Sequence, residues 1–261
     1  MKVDGVDEFR IEELAVSIHP SNAALGAAAA AEAAAIIRSA VAARGVANVV
    51  LATGNSQKTF LAALRERPDV AWDKVNVFHL DEYVGIDPKH PASFPNFLRQ
   101  NIVDQVRPGA FHPLQGTAAS APETCRRYEA LLRAHPADLC ALGIGENGHL
   151  AFNDPPYADF NDPVWVKVIT LADASRRQQV NEGHFASLAE VPVQAITLTI
   201  PAILSAKQLL VMVPEGRKAE AVVRTLYGPI SEDCPSSLLR QTPRAHLFLD
   251  RDSAARLSRP G

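Results

Sequence analysis

Residues 143–156 read GIGENGHLAFNDPP, and Glu146, Asn147, His149, Asn153 and Asp154 fall within nine positions of it. The apolar run DLCAL at 138–142 leads into this stretch. The pattern is a buried strand ending in a glycine-rich turn, with an imidazole flanked by an amide and a carboxylate. An imidazole so placed can move a proton near neutral pH; in isolation it fits a backbone-bonded loop histidine equally well. DEYVG follows another apolar run, VNVFHL at 75–80, and sets Asp81 and Glu82 at its end. Asp81 there can be a general base, a metal ligand or a loop cap, and no DxD motif supports the metal. Thr53, Gly54, Asn55 and Ser56 follow the run ANVVLA at 47–52. Glycine permits close backbone approach, and free N–H groups and hydroxyls at a helix start suit a phosphate. GxxxxGK[ST] is absent, and an ordinary helix cap fits the same residues. Arg177 in DASRRQQ and Lys218 in PEGRK are cations that can complete an anion site or stand as solvated surface charges.

The elements that must carry these residues read as follows. Residues 22–44 are alanine-rich, with Ile36, Ile37 and Val41 at helical spacing and Ser21 or Asn22 as cap, which predicts a long helix. Strands are expected at 47–52, 75–80, 138–145, 166–171, 195–200, 207–213 and 245–250. Helices are expected at 57–67, within 92–106, at 122–135 and at 216–228. Continuous apolar strands alternating with helices predict an α/β fold: a doubly wound, mostly parallel sheet covered on both faces, Rossmann-like. No linker divides the chain, so one domain over 1–261 is expected. In open α/β sheets ligands bind beyond the carboxyl ends of the strands. The strands at 47–52, 75–80, 138–143 and 207–213 all end in unusual polar loops, which could share one edge of the sheet.

Bulk properties narrow the class. The 261 residues are 47% hydrophobic and 21% charged, an ordinary globular mix. A net charge of −3 and the lack of a basic stripe give no support for a nucleic-acid or membrane partner. Cys125, Cys140 and Cys234 are odd in number and far apart, which argues against a disulfide framework or zinc knuckle, and Cys140 reads as a core thiol. The acidic start MKVDGVDEFRIEEL is not a signal peptide, and the apolar stretch at 24–36 is too short to span a bilayer. A cytoplasmic protein is expected.

Taken in order, LATGNSQKTF, FHLDEYVG, GIGENGHLAFNDPP, SRRQQ and PEGRKAEAV resemble the glucosamine-6-phosphate deaminase family, which shares its fold with 6-phosphogluconolactonase. The resemblance covers about residues 50–240. It implies conversion of glucosamine 6-phosphate to fructose 6-phosphate and ammonia, without a metal or organic cofactor. It implies that His149 opens the sugar ring, that Asp81 carries the C2 proton to C1, and that Gly54, Asn55, Ser56, Arg177 and Lys218 hold the phosphate. Well-known members carry Asp where this chain has Asn147, and Glu where it has Asp154. Asn147 can orient the ring without supplying charge, and Asp154, one methylene shorter, reaches His149 only if the loop sits close or a water bridges them. Another branch of the family also resembles GIGxNGH. The C-terminal extension and allosteric basic residues of hexameric members find no match, so a monomer or small homo-oligomer is expected. Two alternatives are another sugar-phosphate isomerase or lactonase on the same fold, and a non-catalytic sugar-phosphate sensor.

Overall fold

A computed structural model describes residues 5–155, 157–181 and 183–257, with the side chains of all of these but Ala174 and Gln178. The strands are β1 (Asp7–Ile11), β2 (Leu14–His19), β3 (Ala47–Leu51), β4 (Val75–His79), β5 (Asp81–Tyr83), β6 (Ala110–Phe111), β7 (Leu139–Leu142), β8 (Val166–Thr170), β9 (Gln194–Leu198), β10 (Leu209–Val213) and β11 (Ala245–Asp250). Eight of them form one sheet in the order β1-β2-β11-β10-β7-β3-β4-β6. β1 and β2 are an antiparallel hairpin at its edge, and every other pairing is parallel. The doubly wound, mostly parallel α/β expectation holds.

The helices are α1 (Asn22–Arg44), α2 (Lys58–Arg65), α3 (Phe94–Leu98), α4 (Asp104–Val106), α5 (Ala121–Ala134), α6 (Asp173–Asn181), α7 (Ile200–Leu204) and α8 (Ala219–Tyr227). A π-turn over Arg99–Val103 joins α3 to α4. Successive strand residues point to opposite faces. Val49, Leu51, Leu139, Ala141, Leu210 and Met212 therefore pack with α1 and α2. Val50, Cys140, Leu142, Leu209 and Val211 pack with α5 and α8 on the other face.

α1 matches its expected bounds. The Ser21 hydroxyl accepts from the Ala24 N–H at its start, and Gly45 ends it in the left-handed region with φ 77°. By length and composition α1 is apolar enough to cross a membrane. Here, however, Ala29, Ala30, Ala33 and Ala34 are buried against the sheet, as a core helix requires. Gly26 lets α2 cross α1 closely. A Cβ at Gly26 would lie 2.7 Å from the Thr59 carbonyl carbon and 2.8 Å from the Phe60 nitrogen.

Two strands expected from sequence belong elsewhere. β8 and β9 join β5 in a separate antiparallel sheet, ordered β5-β9-β8. Partly exposed Lys167 and exposed Thr170 interrupt the apolar run of β8, which therefore lacks the continuous apolar sequence of a strand covered on both faces. β5 itself is the DEY of DEYVG, expected as a loop. Its pairing of Asp81 with Thr197 and of Tyr83 with Ala195 fixes the first carboxylate on a strand.

Candidate active site

The carboxyl ends of β10, β7, β3 and β4 are neighbours in the sheet, as the sequence argument required. Their loops line one cavity of about 150 Å³. Thr53, Gly54, Asn55 and Ser56 enter it from β3, Asp81 from beyond β4, Gly145 and His149 from beyond β7, and Arg217 and Lys218 from beyond β10. Phe94, Phe97 and Phe152 contribute apolar wall.

The turn after β3 is a 3₁₀ segment, Asn55–Gln57, that runs into α2. Gly54 precedes it with φ 96° and ψ 173°, and open space surrounds the position of a Cβ. Glycine is needed here for its backbone conformation, not for room. Lys218 closes a matching 3₁₀ turn after β10 and is 5% exposed although it lines the cavity.

Asp81 is buried, and burial together with the charge of Glu82 pushes its carboxyl up to about 8. Burial raises Glu82 to about 7, against the pull of its hydrogen bonds. Glu82 accepts from the Tyr83 N–H at 2.8 Å, the Ser93 hydroxyl at 2.7 Å and the Phe94 N–H at 3.4 Å. These bonds tie the wall around residues 91–94 to the strand that carries Asp81. His79 braces the same turn from below. Its Nε2 accepts from the Leu114 N–H at 2.8 Å, so Nδ1 carries the proton and donates to the Asp81 carbonyl at 3.0 Å. Burial lowers this imidazole to about 4, which keeps it neutral.

His149 is held by a tight side-chain triangle. Its Nδ1 lies 2.7 Å from Asn147 Oδ1 and 2.8 Å from Asp154 Oδ1, and Asn147 Nδ2 donates to the same Asp154 oxygen at 2.8 Å. Two acceptors on one ring nitrogen place the proton on Nδ1 and leave Nε2 as the other ring nitrogen of a residue that lines the cavity. The shorter Asp154 side chain thus reaches the ring directly, with no bridging water needed. Burial would raise Asp154, but the His149 charge and bonds from His149, Asn147 and Ser175 outweigh it and hold the carboxyl below its ordinary value. Gly145 makes room for the ring, and Gly148 makes room for Cys234. A Cβ on Gly145 would lie 2.1–2.4 Å from three His149 ring atoms, and one on Gly148 would lie 2.5 Å from Cys234 Sγ.

Arg177 is not brought to the cavity. Its place on α6 turns the side chain to solvent, 68% exposed and 3.9 Å from Asp173. Gln179, two residues along the same helix, and His184 just beyond it stand in the wall instead. So does Arg217, which pairs with Glu146 at 3.2 Å and Glu215 at 2.6 Å and so links the loops after β7 and β10. The sequence reading missed Ser175, Gln179, His184 and Arg217; the only signal was their nearness to Arg177 and Lys218. The three cysteines are buried and free, and burial pushes the Cys140 thiol up to about 12, as a core residue. Among the described residues no group of three His, Cys, Asp or Glu side chains is placed to hold a metal ion.

An α/β sheet with a buried carboxylate, a supported imidazole and a buried lysine around one cavity is equipped for proton transfer on an anionic substrate. The profile of the family described as glucosamine-6-phosphate isomerases/6-phosphogluconolactonase matches residues 20–248, and the chain belongs to this family of enzymes. Glucosamine-6-phosphate deaminase of Bacillus cereus strain B4264 is 35% identical over 203 residues, 78% of this chain and 75% of the relative. The enzyme of the same name from Bacillus thuringiensis strain Al Hakam gives the same figures, 35% over 203 residues, with the same coverage. A solved monomeric glucosamine-6-phosphate deaminase superposes with a TM-score of 0.85 at 29% identity, covering 92% of this chain and 98% of that one. A 6-phosphogluconolactonase from Shewanella baltica superposes with a TM-score of 0.76 at 18% identity over 93% of this chain and 100% of that one, a likeness of fold alone.

Proposed function

We propose that the enzyme converts glucosamine 6-phosphate and water to fructose 6-phosphate and ammonia. The observation that carries this reading is the convergence of Asp81 and His149 on one cavity with the 53–56 turn and Lys218. The turn and Lys218 hold the phosphate, and this remote anchor orients the reacting carbons. His149 Nε2 takes the proton of the C1 hydroxyl and returns it to the ring oxygen, which opens the ring to the aldehyde. Asn147 and Asp154 fix the ring by Nδ1, and Asp154 supplies the charge that stabilises the transient imidazolium. Asp81 then takes the C2 proton and delivers it to C1 while a proton passes from the amine to O1, so that the 2-amino aldehyde becomes a 1-hydroxy C2 imine without net oxidation. Water adds to that imine, ammonia leaves, and the C2 ketone remains. A carboxyl raised to about 8 is a stronger base than an ordinary aspartate, which suits abstraction of a carbon-bound proton. No step in this sequence calls for a metal or organic cofactor.

The test is ammonia release from glucosamine 6-phosphate by the purified protein, with His149→Ala and Asp81→Asn as blanks. Galactosamine 6-phosphate runs alongside, and 6-phosphogluconolactone is followed by acid release. Ammonia that disappears in both variants is the expected result. Acid release without ammonia would move the assignment to a lactonase. Phosphate-sugar binding without either product would move it to a sensor.

A further inference from the structure

We propose that Gln57 is a positioning residue that aims the Ser56 hydroxyl at the phosphate of the substrate; this rests on the reading of the cavity as a sugar-phosphate site. Gln57 ends the 3₁₀ turn Asn55–Gln57. Its own N–H donates to the Gly54 carbonyl at 3.1 Å, which closes the turn. Ser56 lines the cavity, whereas Gln57 behind it is 1% exposed. The Gln57 amide donates from Nε2 to Ser56 Oγ at 3.2 Å. Bare backbone at Gly143 backs the pair: a Cβ there would stand 3.0 Å from Ser56 Oγ and 3.3 Å from Gln57 Nε2.

A serine hydroxyl has one proton. An oxygen that accepts from an amide on its buried side directs that proton elsewhere, and the cavity is the side left to it. The hydroxyl is thereby set as a donor before an anion arrives, which lowers the cost of ordering it on binding. Among the described residues Gln57 Oε1 is buried with no hydrogen-bond partner, and such an orphan acceptor is destabilising relative to an apolar side chain of the same size. A buried amide with one end unsatisfied and the other on a cavity-lining hydroxyl is explained by what it does for that hydroxyl.

The experiment compares Q57M, Q57E, S56A and the double variant Q57M/S56A. It reads thermal unfolding, the affinity for inorganic phosphate by titration calorimetry, and KM and kcat for glucosamine 6-phosphate. Q57M keeps the volume and removes the donor. Its unfolding midpoint is expected to hold or rise, while phosphate affinity weakens and KM rises about fivefold, the factor carried by one neutral hydrogen bond. S56A should show the same loss, and Q57M should add nothing in the S56A background. Q57E should weaken phosphate binding more than Q57M, because its carboxylate accepts from the hydroxyl and turns the proton inward; it also carries the test if Q57M does not fold. A lower unfolding midpoint in Q57M with unchanged phosphate affinity would overturn the proposal, as would an equal loss with and without Ser56, or a wild-type protein that binds no phosphate. Phosphate affinity that follows the variants as expected, without ammonia release from the sugar, would support the Gln57 assignment and refute the deaminase reading.

Discussion

Replacing Asp154 by Asn separates charge from geometry in the proposed ring-opening step. His149 Nδ1 lies 2.7 Å from Asn147 Oδ1 and 2.8 Å from Asp154 Oδ1. An asparagine at 154 keeps an oxygen for His149 and for the Asn147 amide. Its own NH₂ group can turn to the Ser175 hydroxyl, which already bonds the carboxylate. The ring therefore stays in place and only the charge is lost. A hydrogen bond to a charged partner contributes ~1.5–3 kcal/mol, against about 1 kcal/mol for a neutral one. The difference, about 0.5–2 kcal/mol, bears on the imidazolium formed when His149 takes its proton, and corresponds to a kcat lower by about 2- to 30-fold. KM should stay within about twofold, because no phosphate contact changes. The assay is steady-state ammonia release against substrate concentration, with Asp154→Ala beside it. Alanine leaves the Asn147 amide and Ser175 without their acceptor and frees the ring, so its loss should be deeper. Full turnover in Asp154→Asn would refute the charge argument. Equal losses in the two variants would refute the claim that orientation and charge can be separated at this position.

Other perturbations test the remaining parts. Asp81 and Glu82 lie at about 8 and about 7 in the folded protein, above the value of about 4 expected for unfolded carboxylates. Stability present at low pH is thus lost progressively as pH rises from about 4 towards 8, while kcat/KM climbs through the upper end of that window as Asp81 deprotonates. Glu82→Gln removes the neighbouring charge, so the acid limb of kcat/KM should move to lower pH and the unfolding midpoint should rise more at pH 8 than at pH 5; a limb that does not move would exclude the coupling. Gly145→Ala places a Cβ 2.1–2.4 Å from the His149 ring atoms, and the displaced imidazole should cost about 100-fold in turnover with the circular dichroism spectrum retained. Lys218→Met should raise KM about 10- to 100-fold, the worth of a charged hydrogen bond, whereas Arg177→Ala, at a solvent-facing residue 68% exposed, should leave KM within about twofold; the opposite order would move the phosphate to the α6 side.

The parts of the fold that could be read from sequence are those whose local pattern and tertiary role agree. LCAL and LLVMV are apolar throughout, and ANVVL is so but for the buried Asn48, because both faces of β7, β10 and β3 are covered; these runs mark them as central strands. DEY reads as loop because two carboxylates are poor strand formers; its partner β9, more than a hundred residues later, makes it β5. The hairpin of β1 and β2 is hard to read locally for a related reason, since β2 pairs on its inner side with β11, far later in the chain. Within the site, residue types at strand ends identified Asp81, His149 and the 53–56 turn. That Arg177 faces solvent is set by the rotation of α6, which no spacing rule supplies for a short polar helix. The direct contact of Asp154 with His149 likewise depends on how tightly the loop folds, which Gly145 permits by lying against the His149 ring and Gly148 by packing against Cys234, distant in sequence.

The insertion of β11 between β2 and β10 has a consequence for synthesis. While the chain leaves the ribosome, the β1–β2 hairpin emerges first and the strands from β3 to β10 can assemble beside it. The two parts cannot join as one sheet until Ala245–Asp250 slides between them, pairing His246 with Ala15 and Asp250 with His19 on one side and Leu247 with Val211 on the other. Until that moment β2 and β10 each present an unpaired inner edge, and α1 covers a gap rather than a strand. Non-local parallel pairing of this kind is slow, and open edges recruit strands from other molecules. β11, the last of these strands along the chain, is therefore the one that closes both inner edges.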